Sequence, residues 1–364
     1  MSGLPRLDVL IAGGGTGGHV FPALALGAAL VERGVSVEFA GSPHGLEARL
    51  VPAAGRTLHR IPGRQVRGGG VRGAVAGATA LARGVASGLG LVGRLRPALV
   101  VGVGGYASVA SVLAARLRRV PVVLLEQNAI AGAANRSLGR FAERICVGFA
   151  EAARFFPPGR AVHTGNPIRP EVLAAPPAAP HDGPGLLIFG GSQGAHHLNE
   201  ASVAALDRIG PRAAAWRIRH QTGAADLAEV SAAYRRLGLP ARVEAFVDDM
   251  GGAYREADVV VSRAGAMSCA EITAMGLPAI LVPYPWAADD HQRRNAEILV
   301  EGGAAQMILD RDLAGDGLAA ALSTLLGDRE ARAAMAARAR ALGRPDAARR
   351  VAEVCVAILR ARPT

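Results

Sequence analysis

A chain of 364 residues, half of them apolar, exceeds what one ordinary hydrophobic core serves and points to two domains. All 41 basic residues are arginine; residues 1–165 hold 19 of them against 7 acids, while the remainder holds 22 against 23, so the net +11 lies on the N-terminal half. Such an excess suits phosphate or an anionic surface, but Phe21, Phe39, Tyr106 and Phe141 are that half's only aromatics before a Phe-rich turn, which offers no stacking platform, and nucleic acid is excluded as a partner.

Cys146, Cys269 and Cys355 lie far apart with no metal-ligand spacing and read as reduced thiols of a cytosolic protein. From Met1 the chain runs straight into an apolar strand, Leu7 to Ala12, too short for the core of a signal peptide. The longest weakly apolar stretch, Val71 to Val92, is broken by Arg72, Arg83 and several glycines, so no membrane span is expected.

The first strand ends in GGGTGG, residues 13 to 18, a G-x-G-x-x-G string that permits close approach of a polar ligand to the amides of a helix start. With Glu38 about twenty residues on, a dinucleotide oxidoreductase fits the spacing. Yet Glu38 falls inside the second predicted strand, Val35 to Ala40, rather than at its tip, and His19 and Pro22 are unusual after such glycines. Further strands are expected at Leu99 to Val103, Pro121 to Glu126 and Ile145 to Val147. Pro170 to Gly185, with Pro176, Pro177, Pro180 and Pro184, reads as too proline-rich for a helix or central strand.

A second βα opening, GLLIFGGSQGAHHL, starts at Gly185, and its loop Gly190 to Ala195 carries the hydroxyl of Ser192. Strands are predicted at Trp216 to Gln221, Val243 to Phe246, Val259 to Ser262 and Ala279 to Val282. Apolar runs alternating with Ala/Leu/Arg helical segments indicate parallel sheets. After Val259 to Ser262 comes SRAGAMSCAE, where the amides of Ala266, Met267 and Ser268 suit a diphosphate and Glu271 suits two ribose hydroxyls; a solvated first-turn glutamate is the plain alternative. PYPWAADDHQRRNA gathers polar groups suited to sugar hydroxyls, or to capping a helix. Asp310 and Asp312 form a D-x-D string, read as a capping feature before a helix rather than a metal anchor. The expected domains are 1–165 and 185–345, joined by a linker over 166–184, with a terminal helix over 346–364 that crosses back to the first domain by fold analogy.

Taken in order, GGGTGGHVFP (13–22), GGYAS (104–108), EQNAIAG (126–132), GNPIR (165–169), GGSQGA (190–195), FVDDM (246–250), SRAGAMSCAE (262–271) and HQRRNA (291–296) resemble the MurG family over nearly the whole chain. The resemblance implies an α/β GT-B fold, two Rossmann-like domains across a cleft, and inverting transfer of N-acetylglucosamine from UDP-GlcNAc to the MurNAc 4-hydroxyl of lipid I, giving lipid II. A nucleotide-sugar epimerase of the same fold stands as the alternative beside the oxidoreductase. Carried onto this chain, the resemblance implies that Val247 meets uracil, Glu271 the ribose, and Ala266 to Ser268 with Ser192 the phosphates, Cys269 and Ala270 completing that donor segment. Gln292 and Asn295 would read the sugar, Asn128 and Arg169 would reach in from the opposing domain and hinge, and Thr16, Gly17 and Gly18 would close the site. Tyr106, Arg64 and Arg67 are acceptor-side candidates, and the membrane-facing stretch Val75 to Val92 is rich in Gly and Ala where the family's patch is bulky. The enzyme would sit peripherally on the anionic cytoplasmic face of the inner membrane. Helix N-termini with Arg263 are suited to stabilise the departing diphosphate, so no metal or other cofactor is expected. Two residues compete for the catalytic base: His19, whose place at a helix start favours the neutral imidazole, and Glu126, acting directly or by orienting a neighbour. His19 is preferred because a carboxylate would need a raised pKa.

Overall fold

The computed structural model describes residues 7–62, 70–174, 183–191 and 194–361. The chain divides into two compact units, one running to Arg169 and resuming at Asp346, the other spanning Pro170 to Pro345.

In the first unit β1 (Val9–Gly13), β2 (Val37–Gly41), β3 (Leu58–Arg60), β4 (Leu99–Gly104), β5 (Val122–Glu126), β6 (Arg144–Val147) and β7 (Ala161–His163) form one parallel sheet in the order β3-β2-β1-β4-β5-β6-β7. Its helices are α1 (Gly17–Val31), α2 (Glu47–Ala53), α3 (Gly70–Leu95), α4 (Tyr106–Leu117) and α5 (Ala133–Leu138). LVVGVG and VVLLE are buried throughout, because a parallel sheet needs cover on both faces. Leu10, Val100 and Leu124 point into one core with Val92 and Val112 of α3 and α4. On the opposite face Ile11 and Val101 meet Leu26 and Leu30 of α1 and, from the C-terminal helix (Ala347–Arg360), the fully buried Val351, Ala352 and Cys355.

The second unit begins with α6 (Pro170–Ala174) and repeats the plan. Its strands β8 (Gly185–Phe189), β9 (Arg217–Gln221), β10 (Ala241–Glu244), β11 (Val259–Ser262), β12 (Ala279–Leu281) and β13 (Ala305–Met307) lie parallel in the order β10-β9-β8-β11-β12-β13. The helices are α7 (His196–Ile209), α8 (Leu227–Arg236), α9 (Met250–Arg255), α10 (Ala266–Met275), α11 (His291–Glu301), α12 (Gly317–Gly327) and α13 (Arg329–Leu342), and the C-terminal helix of the first unit becomes α14. Leu186, Ile188, Val261 and Ile280 carry this core together with Leu206 and Leu322.

Several expectations need correction. Pro170 to Ala174 is helical despite its proline, because Pro170 occupies the first helical position, where the missing N–H costs nothing. The strand placed at Val243 to Phe246 is β10, two residues earlier, and Phe246 stands half exposed beyond it. Three strands escaped the pattern altogether: β3, β7 and β13 are three residues long, partly exposed, and lie at sheet edges, where no two-sided apolar run is required. Glu38 lies within β2 opposite Leu10, its Oε2 2.6 Å from Nε2 of His59, and so is not at the strand tip that a ribose-binding acid occupies.

Candidate functional site

Each sheet reverses its strand order beside its first strand, between β1 and β4 and between β8 and β11. Loops leaving two such strands part company, and the crevice they open at the carboxyl edge is where doubly wound sheets bind ligands. The stretches GGGTGG, GGYAS, GGSQGA and SRAGAMSCAE leave these four strands, while EQNAIAG and the α11 start follow the neighbouring β5 and β12.

In the first unit the glycine loop leads from β1 into α1, with Thr16 exposed at the N-cap position, Gly17 half buried and Gly18 exposed. Nδ1 of His19 lies 3.1 Å from the Gly14 carbonyl and 3.4 Å from Oγ1 of Thr16. A carbonyl only accepts, so the proton of the neutral ring belongs on Nδ1 and Nε2 keeps its lone pair. That nitrogen lies against Gly104 at the end of β4, where a Cβ would stand 2.6 Å from it, on backbone with φ +107°. Burial pushes the imidazole below its ordinary range, opposed by the Gly14 hydrogen bond and by the charges of Glu126 and Glu47.

Glu126 ends β5 and is buried, with Oε1 accepting from the Asn128 amide at 3.0 Å and Oε2 from the Gly132 amide at 3.0 Å and Nδ2 of Asn135 at 2.9 Å. Both oxygens thus hold the 127–132 loop, including the half-buried Asn128. The Arg169 guanidinium lies over the Phe21 ring of α1 at 4.4 Å from its centroid. Tyr106 opens α4 and donates its hydroxyl to the Ala80 carbonyl of α3, tying that helix to the β4 loop.

In the second unit α10 starts directly after β11, with Gly265 at its N-cap and no side chain capping it. The first-turn amides of Ala266, Met267 and Ser268 therefore have no intrahelical acceptor, while the Cys269 amide already bonds the Gly265 carbonyl. One turn on, the buried Glu271 accepts the Tyr254 hydroxyl at 3.0 Å. Ala270 is half buried, and Val247 follows β10 with its side chain buried, ahead of Asp249, which caps α9. Oε1 of Gln292 accepts the Tyr284 amide at 3.0 Å. Just before α11, Asp289 and Asp290 both adopt left-handed backbone, φ 52° and 53°, a conformation that costs non-glycine residues energy and collects at functional loops.

Some candidates sit differently from expectation. Asn295 is fully buried and donates from Nδ2 to the Ala264 carbonyl at 3.1 Å, which ties α11 to the β11 loop. Cys269 has a buried side chain, its thiol pushed up to about 12 by burial. Arg263 is likewise buried, with NH1 against Oδ1 of Asp310 at 2.5 Å and the Val282 and Pro283 carbonyls at 3.3 Å. Asp310 is accordingly no cap: its carboxylate joins Arg263 to Nδ1 of His197 at 3.0 Å. Burial alone would raise that carboxyl, but hydrogen bonds from His197 and Arg263 hold it below the ordinary range. Arg64, Arg67 and Ser192 lie outside the described residues. Sequence reasoning missed Tyr254, His197 and the buried Glu47: His197 stands two residues past the GGSQGA block, but nothing local marks its partner, and only their contacts reveal all three. Among the described residues no group of His, Cys, Asp or Glu is arranged to hold a metal, and no helix is long and apolar enough to cross a membrane.

Two family models match the chain: the glycosyltransferase family 28 N-terminal domain over residues 9–147 and the glycosyltransferase family 28 C-terminal domain over residues 185–351. The chain is 45% identical over 360 residues to the UDP-N-acetylglucosamine-N-acetylmuramyl-(pentapeptide) pyrophosphoryl-undecaprenol N-acetylglucosamine transferase of Anaeromyxobacter dehalogenans (strain 2CP-C), which covers 98% of this chain and 94% of that one. A protein of the same name from Trichlorobacter lovleyi is 41% identical over 365 residues, covering 94% and 96%. Among solved structures, that of Acinetobacter baumannii MurG superposes with a TM-score of 0.79 at 32% identity, covering 97% of this chain and 100% of that one.

Proposed function

The chain belongs to the MurG branch of glycosyltransferase family 28, and from that premise we propose that it transfers N-acetylglucosamine from UDP-GlcNAc to lipid I, undecaprenyl-pyrophosphoryl-MurNAc-pentapeptide, to form lipid II. The observation that carries the donor half is the first turn of α10 at the β8/β11 switch point, its amides without helical acceptors and Glu271 one turn beyond. Free amides at a helix start suit a diphosphate, and an acceptor-only carboxylate suits the paired hydroxyls of a ribose. Val247 and Gln292 are assigned to uracil and sugar by family resemblance.

The transfer inverts the anomeric centre. The MurNAc 4-hydroxyl gives its proton to Nε2 of His19 as its oxygen bonds C1, and the C1–O bond to the β-phosphate breaks with its electron pair leaving on UDP. Charge developing on that phosphate falls to the amides of Ala266, Met267 and Ser268, preorganised by the helix. Arg263 steadies the β11 loop through Asp310, and Glu126 orients the 127–132 loop. Because lipid I is a membrane lipid, the arginine-rich first half docks peripherally on the anionic cytoplasmic surface.

Labelled UDP-GlcNAc with and without a lipid I analogue tests the whole reading. Acceptor-dependent UDP release with label on the lipid is expected. Consumption of UDP-GlcNAc that ignores the acceptor would point to an epimerase or hydrolase and end the proposal.

A further inference from the structure

Glu47, the first residue of α2, places a carboxylate under the glycine loop of the first unit at 2% exposure. Its Oε2 accepts the Gly15 amide at 2.7 Å and its Oε1 the Ser42 amide at 2.9 Å. Among the described residues no cation pairs with it. Burying a carboxylate costs several kcal/mol unless its oxygens find donors, and the surrounding backbone is shaped to admit this one. A Cβ on Gly14, whose φ is +150°, would stand 2.1 Å from Cδ of Glu47, and one on Gly45 would stand 2.1 Å from Oε2. A neutral, smaller side chain would close a βα turn at less cost, so the charge calls for another reason.

That reason lies one residue away. Gly15, which the carboxylate holds, follows Gly14, whose carbonyl holds Nδ1 of His19. We propose that Glu47 is a positioning residue for the transfer: it clamps the glycine loop so that the Gly14 carbonyl fixes the His19 tautomer and presents Nε2 as the proton acceptor. This rests on the reading of His19 as the base. Two charges act on the imidazole, Glu126 from the end of β5 and Glu47 from α2, and both favour its protonated form. Removing Glu47 therefore loosens the loop and lowers the His19 pKa together, a combination that a purely structural clamp does not produce.

The test is Glu47→Gln in the full-length protein, alone and with His19→Ala, followed by kcat, KM, the pH profile and an NMR titration of labelled histidine. The amide keeps the shape but sets its NH2 against one of the two backbone donors. The expected result is a UDP-GlcNAc affinity close to wild type, kcat lower by roughly 10–100-fold, and an acid limb of kcat/KM and a His19 titration both moved to lower pH. In the His19→Ala background the substitution should cost nothing further. Glu47→Asp keeps the charge, and it should return the acid limb toward the wild-type position even where turnover recovers only in part. Wild-type turnover in Glu47→Gln, an equal loss in both backgrounds, or an unmoved limb and titration overturns the proposal, as does a limb that Glu47→Asp leaves displaced. Near wild-type turnover in His19→Ala alone would instead remove the base assignment, and that single variant shows it without reference to Glu47.

Discussion

A histidine serves as a base only if it is neutral, aimed and close to a titration point that the medium can reach. His19 meets the first two conditions through one contact, since the Gly14 carbonyl settles which nitrogen carries the proton and which way the ring turns. Its depressed pKa also fixes the sign of the pH dependence. The ordinary imidazole value is about 6.5, so kcat/KM should hold as pH falls past it and decline only when pH drops through the lower value of the folded enzyme. His19→Ala should cut turnover by roughly 10²–10⁴-fold while UDP-GlcNAc affinity, proposed to rest on the second unit, stays near wild type. If Glu126→Gln abolishes turnover and His19→Ala retains most of it, the roles are reversed. On the donor side Glu271→Ala removes a carboxylate that is already desolvated and held by Tyr254. Calorimetry should register a loss of about 1.5–3 kcal/mol in donor binding, with Tyr254→Phe losing less because the carboxylate survives. Unchanged affinity in the alanine variant would take Glu271 out of the ribose site.

At the scale of elements, the function assigned to α10 depends on backbone that no side-chain substitution reaches, but proline does. Ala266 is the first helical residue, and Gly265 before it is extended, φ −63° and ψ 144°, the conformation that a following proline imposes. Ala266→Pro should therefore leave the helix and the melting temperature nearly unchanged while deleting one amide from the phosphate site, weakening UDP affinity about tenfold. A variant that folds and binds UDP normally would show that this amide does not serve the diphosphate. The same elements explain what could be read in advance. Both glycine-ended first strands and the central strands were legible because burial on both faces demands continuous apolar runs, and the Val259–Ser262 strand appears with the predicted bounds. Edge strands answer to no such demand, and β3, β7 and β13 were invisible for that reason. Within the site, loops and helix starts carry recognisable residue patterns, but the partners of Arg263 and Glu271 do not. Asp310 and Tyr254 reach them from 47 and 17 positions along the chain, and nothing local marks the pairing. Asn295 was legible as a polar residue of a helix start, but its complete burial and its bond to the Ala264 carbonyl were not.

At the scale of the whole molecule the two units share a strand order up to one extra edge strand but not a charge, for residues 1–169 with 346–364 hold 24 Arg against 9 acids, net +15, and residues 170–345 hold 17 against 21, net −4. On the proposed docking to an anionic membrane surface, this asymmetry predicts which half approaches it. Arg60, exposed at the end of β3, begins a run continued by Arg64, Arg67 and Arg72. Each arginine close to an anionic leaflet contributes about 1 kcal/mol at moderate salt, so the four together supply a substantial part of docking. Such attraction is screened over about 8 Å at physiological ionic strength. Sedimentation with vesicles rich in an anionic phospholipid should thus fall as salt rises and fall strongly when all four are replaced by glutamine. Replacing Arg212, Arg235, Arg236 and Arg311, exposed arginines of the second unit, removes the same formal charge and should leave sedimentation nearly unchanged. Equal losses in the two sets would reduce the effect to net charge alone, and binding insensitive both to salt and to the first set would mean that this patch is not the docking face.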